Sequence, residues 1–109
     1  ANTFKLKTKA NVGVTTVGIY TAPAATTTVV IGITLSNTSG SGVNVGVAVS
    51  RTSDTKDDVS LLKNAPIPQG SSLEFMGGNK VVLETNDQIN VDSDTNNSVD
   101  AALTIMEIT

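Results

Sequence analysis

Apolar side chains in this chain recur at every second position in one stretch after another, a period that dictates pleated strands rather than helices. Val43, Val45, Val47 and Val49 alternate with Asn44, Gly46, Ala48 and Ser50. Between Thr27 and Asn37, the side chains of Val29, Ile31, Ile33 and Leu35 are expected on one face, opposite Val30, Gly32 and Thr34. Residue type agrees with period: 14 Val, 16 Thr and 7 Ile make 37 of the 109 residues β-branched. Such side chains are stiff at χ1 and pack well on a pleated surface.

The same alternation marks further strands. Phe4 and Leu6, set against Lys5, Lys7 and Thr8, predict a short first strand with one greasy and one basic face. Val14 to Tyr20 predicts a second, stopped at Thr21-Ala22-Pro23 because proline ends pairing. The turn cluster Asn37-Thr38-Ser39-Gly40-Ser41-Gly42 makes Val43–Ser50 the expected hairpin partner of the strand before it. Arg51 to Asp58 reads as a polar loop. Val59–Lys63 and Ser72–Met76 read as short strands separated by Pro66, Pro68 and Gly70. Gly77-Gly78-Asn79 turns into Lys80–Thr85, where Val81 and Leu83 face together, and Asn86-Asp87 turns into Gln88–Ser93 with Ile89 and Val91. Asp94–Asp100 is a polar loop before Ala101–Ile108. About nine strands at spacings of roughly 8–12 residues imply an all-β chain. The expectation is a single antiparallel β-sandwich, jelly-roll or Ig-like, over residues 1–109 with no second domain.

The inventory bears on function by what it leaves out. With no His and no Cys there is no disulfide, thiolate nucleophile, Cys/His zinc site or imidazole base. The apolar runs fall far short of the ~20 residues of a membrane helix. A net charge of −3 argues against a nucleic-acid partner. Asp57-Asp58 are neighbours that a strand would point to opposite faces, whereas paired acid/base carboxylates must converge. Asp92-Ser93-Asp94-Thr95-Asn96-Asn97 resembles the opening of a calcium loop, but Asn97 and Leu103 stand where Gly and Glu belong, so a polar hairpin loop is expected. Gly77-Gly78 and Gly40-Ser41-Gly42 lack the strand-loop-helix context of a phosphate cradle and read as turns. Phe4, Tyr20 and Phe75 are too scattered for a base-stacking platform. The chain is therefore expected to be no enzyme and to need no cofactor or metal. Asn37-Thr38-Ser39 and Asn96-Asn97-Ser98 match the glycosylation sequon, which matters only in a eukaryotic secretory setting. Ala1-Asn2-Thr3, with no apolar run behind it, reads as what initiator-Met removal leaves, and points to cytoplasmic synthesis.

Two patterns suggest surfaces. Residues 1–50 carry Lys5, Lys7 and Lys9 and no acid, for +3, whereas residues 51–109 sum to −6. That split reads either as solvated strand faces or as complementary surfaces for head-to-tail or acidic-partner contact. In the last strand Leu103 and Ile105 can face the core, which turns Met106 and Ile108 the other way. Val30 and Val82 likewise sit opposite their strands' main apolar rows. Lys5, Lys7, Lys9, Val30, Val82, Met106 and Ile108 are accordingly the candidate interface. A carbohydrate-binding sandwich using the loops around Asn37 and Asp92–Asn97 is a further reading, weakened by the lack of Trp.

Several segments look familiar together. They are Tyr20-Thr21-Ala22-Pro23-Ala24 leading into Thr27-Thr28-Val29-Val30-Ile31-Gly32, then Asn37-Thr38-Ser39, and Ala65-Pro66-Ile67-Pro68-Gln69-Gly70-Ser71-Ser72-Leu73-Glu74. To these are added Val82-Leu83-Glu84-Thr85-Asn86-Asp87-Gln88-Ile89 and Ile105-Met106-Glu107-Ile108. The chain resembles a family of small virion structural proteins of tailed bacteriophages, marine cyanophages especially. In that family Gly commonly stands where Asn86 sits, and Asn also tolerates the left-handed backbone. The resemblance implies a non-enzymatic β-sandwich on a virus particle, as capsid decoration or as part of the tail. Its implied partners are capsid or tail proteins of the same virion and further copies of itself, as a trimer or dimer, with no nucleic acid and no membrane.

Overall fold

A computed structural model describes residues 2–51, 57–75 and 80–109 and contains nine strands. They are β1 (Asn2–Val12), β2 (Val17–Thr21), β3 (Thr27–Asn37), β4 (Val43–Ser50), β5 (Val59–Ile67), β6 (Ser72–Phe75), β7 (Val81–Leu83), β8 (Gln88–Ser93) and β9 (Val99–Ile108). One sheet runs β1-β9-β3-β6, with β7 also on β3, and the other runs β2-β8-β4-β5. Every pairing is antiparallel. No described residue is helical.

Because β6 pairs with Ile33–Ser36 and β7 with Thr28–Val30, these two form one interrupted edge strand along β3. Counted that way there are eight strands, and first pairs with last, second with seventh, third with sixth and fourth with fifth. This is a long hairpin rolled into two sheets, so of the two expected sandwiches the chain forms the jelly roll.

The interior is built by the alternating residues of both sheets. Val43, Val45, Val47 and Val49 are all buried, facing Leu35, Leu103 and Ile105 across the sandwich, with Ile89 and Val91 beside them. Each fully buried Val, Leu or Ile contributes about 1.5–3 kcal/mol, so aliphatic side chains supply the core with little aromatic help.

Four sequence expectations are corrected. First, β3 and β4 are not a hairpin, since they lie in opposite sheets. Buried Asn37 makes the corner: its amide donates to the carbonyls of Ser41 (2.8 Å) and Ile67 (2.9 Å), and its Oδ1 accepts from the Ser39 backbone N–H (2.9 Å). Strands facing each other across a core show the same alternation as strands side by side, so periodicity could not separate the two. Second, β3 does not keep one phase. Val30 pairs with Ile105 but Gly32 pairs with Thr104, leaving Ile31 as an extra residue. This bulge turns Thr28 and Val30 inward before it and Ile33, Leu35 and Asn37 inward after it. Val30 is fully buried and belongs to the core, not to any interface. Third, Pro66 does not end a strand, because β5 continues through it to Ile67. As an edge strand β5 can carry a residue that has no N–H. Fourth, residues 94–98 do not close a hairpin; they pass from β8 to β9 in the other sheet. Gly77-Gly78-Asn79, Met76 and residues 52–56 of the expected loop lie outside the described residues.

Asn86 has φ 70°, as the turn requires, and Asn11, Asn64 and Asn97 share that left-handed conformation. Ala25 adopts it too, at φ 56°, in the link from β2 to β3.

Candidate interaction faces

Strand β1 is longer than the sequence suggested, and apart from Val12 none of its residues is buried. Among the described residues it forms an edge of the five-stranded sheet and pairs with β9 alone. Its register places Phe4 opposite Met106, Met106 opposite Val29, and Val29 opposite Val82. Four apolar side chains thus form one cross-strand row on the outer face of this sheet. Leu6 and Ile108 stand on the same face two residues away along β1 and β9. Phe4 is 69% exposed, Leu6 64% and Val82 55%, while Met106 and Val29 are half-buried. Val82, Met106 and Ile108, three of the candidate interface residues, therefore lie on this one face. Phe4, Leu6 and Val29 complete the face, but strand register was needed to find them.

The lysines lie on the other side. Lys5, Lys7 and Lys9 pair with Ile105, Leu103 and Ala101, whose side chains enter the core. Lysines on the inner side of an edge strand hinder further strands from adding there. Lys5 reaches the carboxylate of Glu107 at 2.8 Å. Glu107 is buried and accepts a 2.5 Å hydrogen bond from the Tyr20 hydroxyl, which also meets Thr28 Oγ1 at 2.8 Å. Hydrogen bonding from Lys5, then from Tyr20, holds the Glu107 carboxyl below its ordinary range. Burial, then the bond to Glu107, pushes the Tyr20 phenol up to about 12. Lys5 thus secures the first strand through a polar cluster inside the sandwich and is not a free docking charge.

A second ionic group joins Arg51 at the end of β4 to the turn after β7. The guanidinium Nε donates to both oxygens of buried Asp87 at 3.2 Å and another arm meets Glu84. Asp87 raises the affinity of Arg51 for its proton. Asp58 accepts from the Arg51 backbone N–H at 2.6 Å, a structural use for one of the paired carboxylates.

The outer face of the four-stranded sheet is different in kind. Gln88, Asn90 and Asp92 alternate along β8, and the register row across the sheet reads Gly18, Asn90, Ala48, Ser60. A Cβ on Gly18 would lie 1.9 Å from Gln88 Nε2, and one on Gly46 would lie 2.5 Å from Asp92 Oδ1. The two glycines let these polar side chains lie over the neighbouring strands. A groove of about 260 Å³ opens there, lined among others by Thr16, Ser60, Leu62, Lys63, Asn90 and Asp92. Asp92 is therefore a strand residue on this face and not the first ligand of a loop. Asp94 instead accepts from the Asn44 N–H at 3.1 Å and braces the turn. Among the described residues no three His, Cys, Asp or Glu are grouped to hold a metal ion.

No family model matches this sequence, and no curated protein matches it. Solved structures do share its shape. A chain of the T13 IBDV viral particle superposes with a TM-score of 0.60 at 11% identity, over 97% of this chain and 30% of that one. A chain of infectious bursal disease virus, Gx strain, gives 0.59 at 12% identity, over 99% of this chain and 32% of that one. A subunit of Bacillus endospore appendages, a family of disulfide-linked pili, gives 0.53 at 12% identity, over 100% and 87%. The chain spans about a third of the viral chains' length. At these identities the likeness is one of fold, and it extends over the whole sandwich.

Proposed function

We propose that this protein is a non-enzymatic structural component of a bacteriophage virion, a decoration or cement-type protein that binds the shell and neighbouring subunits. The observation that carries this reading is the exposed apolar row Phe4–Met106–Val29–Val82, flanked by Leu6 and Ile108. Soluble monomers rarely leave a contiguous apolar face of this kind uncovered, and an assembly partner would bury it. The shared fold with chains of a viral particle supports the same role. The pilus subunit assembles through disulfides, a linkage this cysteine-free chain cannot make.

Electron microscopy of intact particles tests the proposal. Many copies spread over the shell are expected. A ring of few copies would move the protein to the tail as an adaptor or fibre-associated module, and absence from the particle would reject a virion role. Turnover of any substrate by the purified protein would reject the non-enzymatic reading.

A further inference from the structure

We propose that the outer face of the four-stranded sheet is a binding site for a neutral carbohydrate, centred on Asn90 and Asp92. The site lies across the sandwich from the apolar face, so a subunit docked through Phe4 and Met106 would present it away from its support. Three observations carry the proposal. First, a central strand lines the groove with an amide and a carboxylate, Asn90 and Asp92, the amide mostly buried in its floor and the carboxylate half-buried. Second, the flanking positions are Gly18, Gly46 and Ala48, which let the Gln88 amide and the Asp92 carboxylate lie flat over the neighbouring strands as a polar floor. Glycine inside a strand is destabilising, and here the missing Cβ atoms leave the room that the Gln88 and Asp92 side chains occupy. Third, the lining is mixed. Asp92 disfavours an anion and Lys63 disfavours a cation, while Thr16 and Ser60 offer hydroxyls and Leu62 an apolar wall.

A ligand that both donates and accepts, carries no charge and has an apolar ring face meets all of these conditions, and a sugar is such a ligand. Among the described residues Asp92 accepts one side-chain hydrogen bond, from Thr16 at 3.4 Å, which leaves carboxylate lone pairs for vicinal hydroxyls. Asn90 donates to Ser50 at 2.6 Å, which fixes the amide and directs its remaining donor and acceptor. The volume of about 260 Å³ suits one or two sugar rings rather than a long chain buried end to end. Without an aromatic platform single-site binding is expected to be weak, and many copies on one surface would add avidity.

The test uses the full chain in solution, followed by NMR. Neutral di- and trisaccharides of glucose, galactose, mannose and N-acetylglucosamine are titrated in, with a sialylated trisaccharide and free glycine as charged and zwitterionic controls. Saturable shifts are expected at Gly46, Ala48 and the Asn90 side-chain amide with at least one neutral sugar. Asp92→Ala and Ala48→Leu, one removing an acceptor and the other filling the groove floor, should each weaken binding at least about tenfold with the fold intact. No shift with any neutral sugar, binding by the controls alone, or affinity unchanged in both variants would overturn the site. Because the isolated chain suffices, this outcome is independent of where the protein sits on a particle.

Discussion

The central row on the outside of the five-stranded sheet reads Phe4, Met106, Val29, Val82, while the corresponding row on the four-stranded sheet reads Gly18, Asn90, Ala48, Ser60. Both rows lie over the same kind of core, Val and Ile from alternate positions, so the interior demands nothing different of them. The contrast is a property of surfaces that folding leaves unconstrained. An apolar outward row gains free energy only when something covers it, whereas a row of small residues around a hydrogen-bonded Asn needs no cover to stay soluble. One sandwich thus carries an uncovered apolar face on one sheet and a face of small and polar residues on the other.

The largest effect should separate inside from outside. Leu35→Ala or Ile105→Ala should cost about 2–5 kcal/mol in urea unfolding, because each vacates a filled interior site. Leu6→Ser, at a position 64% exposed, should cost no more than about 0.5 kcal/mol. Equal costs would mean that β1 buries its greasy face after all.

The next effect concerns assembly. Met106→Lys and Ile108→Glu should lower oligomer mass in sedimentation or abolish particle binding while leaving the unfolding transition in place. Ser60→Lys, on the opposite sheet, should change neither. Complete unfolding of both apolar-face variants would assign those side chains to the core and remove the contrast.

A third prediction concerns the polar cluster that ties β1 to β2. Tyr20 is the one tyrosine and there is no tryptophan, so its ionisation can be followed directly by ultraviolet absorbance. The midpoint should lie near pH 12 in the folded protein. A phenol whose folded pKa is raised stabilises fully below its unfolded value, and that stability is lost as pH climbs toward the folded one. Tyr20→Phe should flatten this alkaline loss. Glu107 carries the opposite sign: its lowered pKa stabilises above the ordinary glutamate range and is lost as pH falls below it. Glu107→Gln should therefore blunt acid unfolding, and unchanged acid and alkaline limbs would dissolve the cluster as a clamp.

The smallest effect is at the link between the sheets. Ala25→Gly should raise stability by about 0.5–1 kcal/mol, since a left-handed backbone strains Ala and not Gly. A loss on substitution would mean that the turn has a different backbone.

Much of this was legible from spacing. Val43 to Val49, Ile89 and Val91, and Leu103 and Ile105 all enter the core as their alternation required. The left-handed turn at Asn86 was also anticipated. What failed did so where a local pattern is compatible with two tertiary outcomes. Alternation alone sends Val30 outward because nothing in a run of Val, Ile and Thr marks the bulge at Ile31. The hairpin expected between β3 and β4 failed because a turn-rich connection serves a corner as well as a reversal. On the interaction faces, Val82, Met106 and Ile108 could be named singly. Their union with Phe4, Leu6 and Val29, and the line from Gln88 to Asp92 between two glycines, depended on which strands became neighbours.

The sequence by itself determined that this chain is a sheet protein with an aliphatic core and no thiol or imidazole, because period and composition are local quantities. Only the tertiary structure decided which strands lie side by side, which bulge reversed a strand's phase, and hence which outward residues share a face. Those outcomes rest on contacts between residues far apart in the chain, such as Lys5 with Glu107, and no local pattern encodes them.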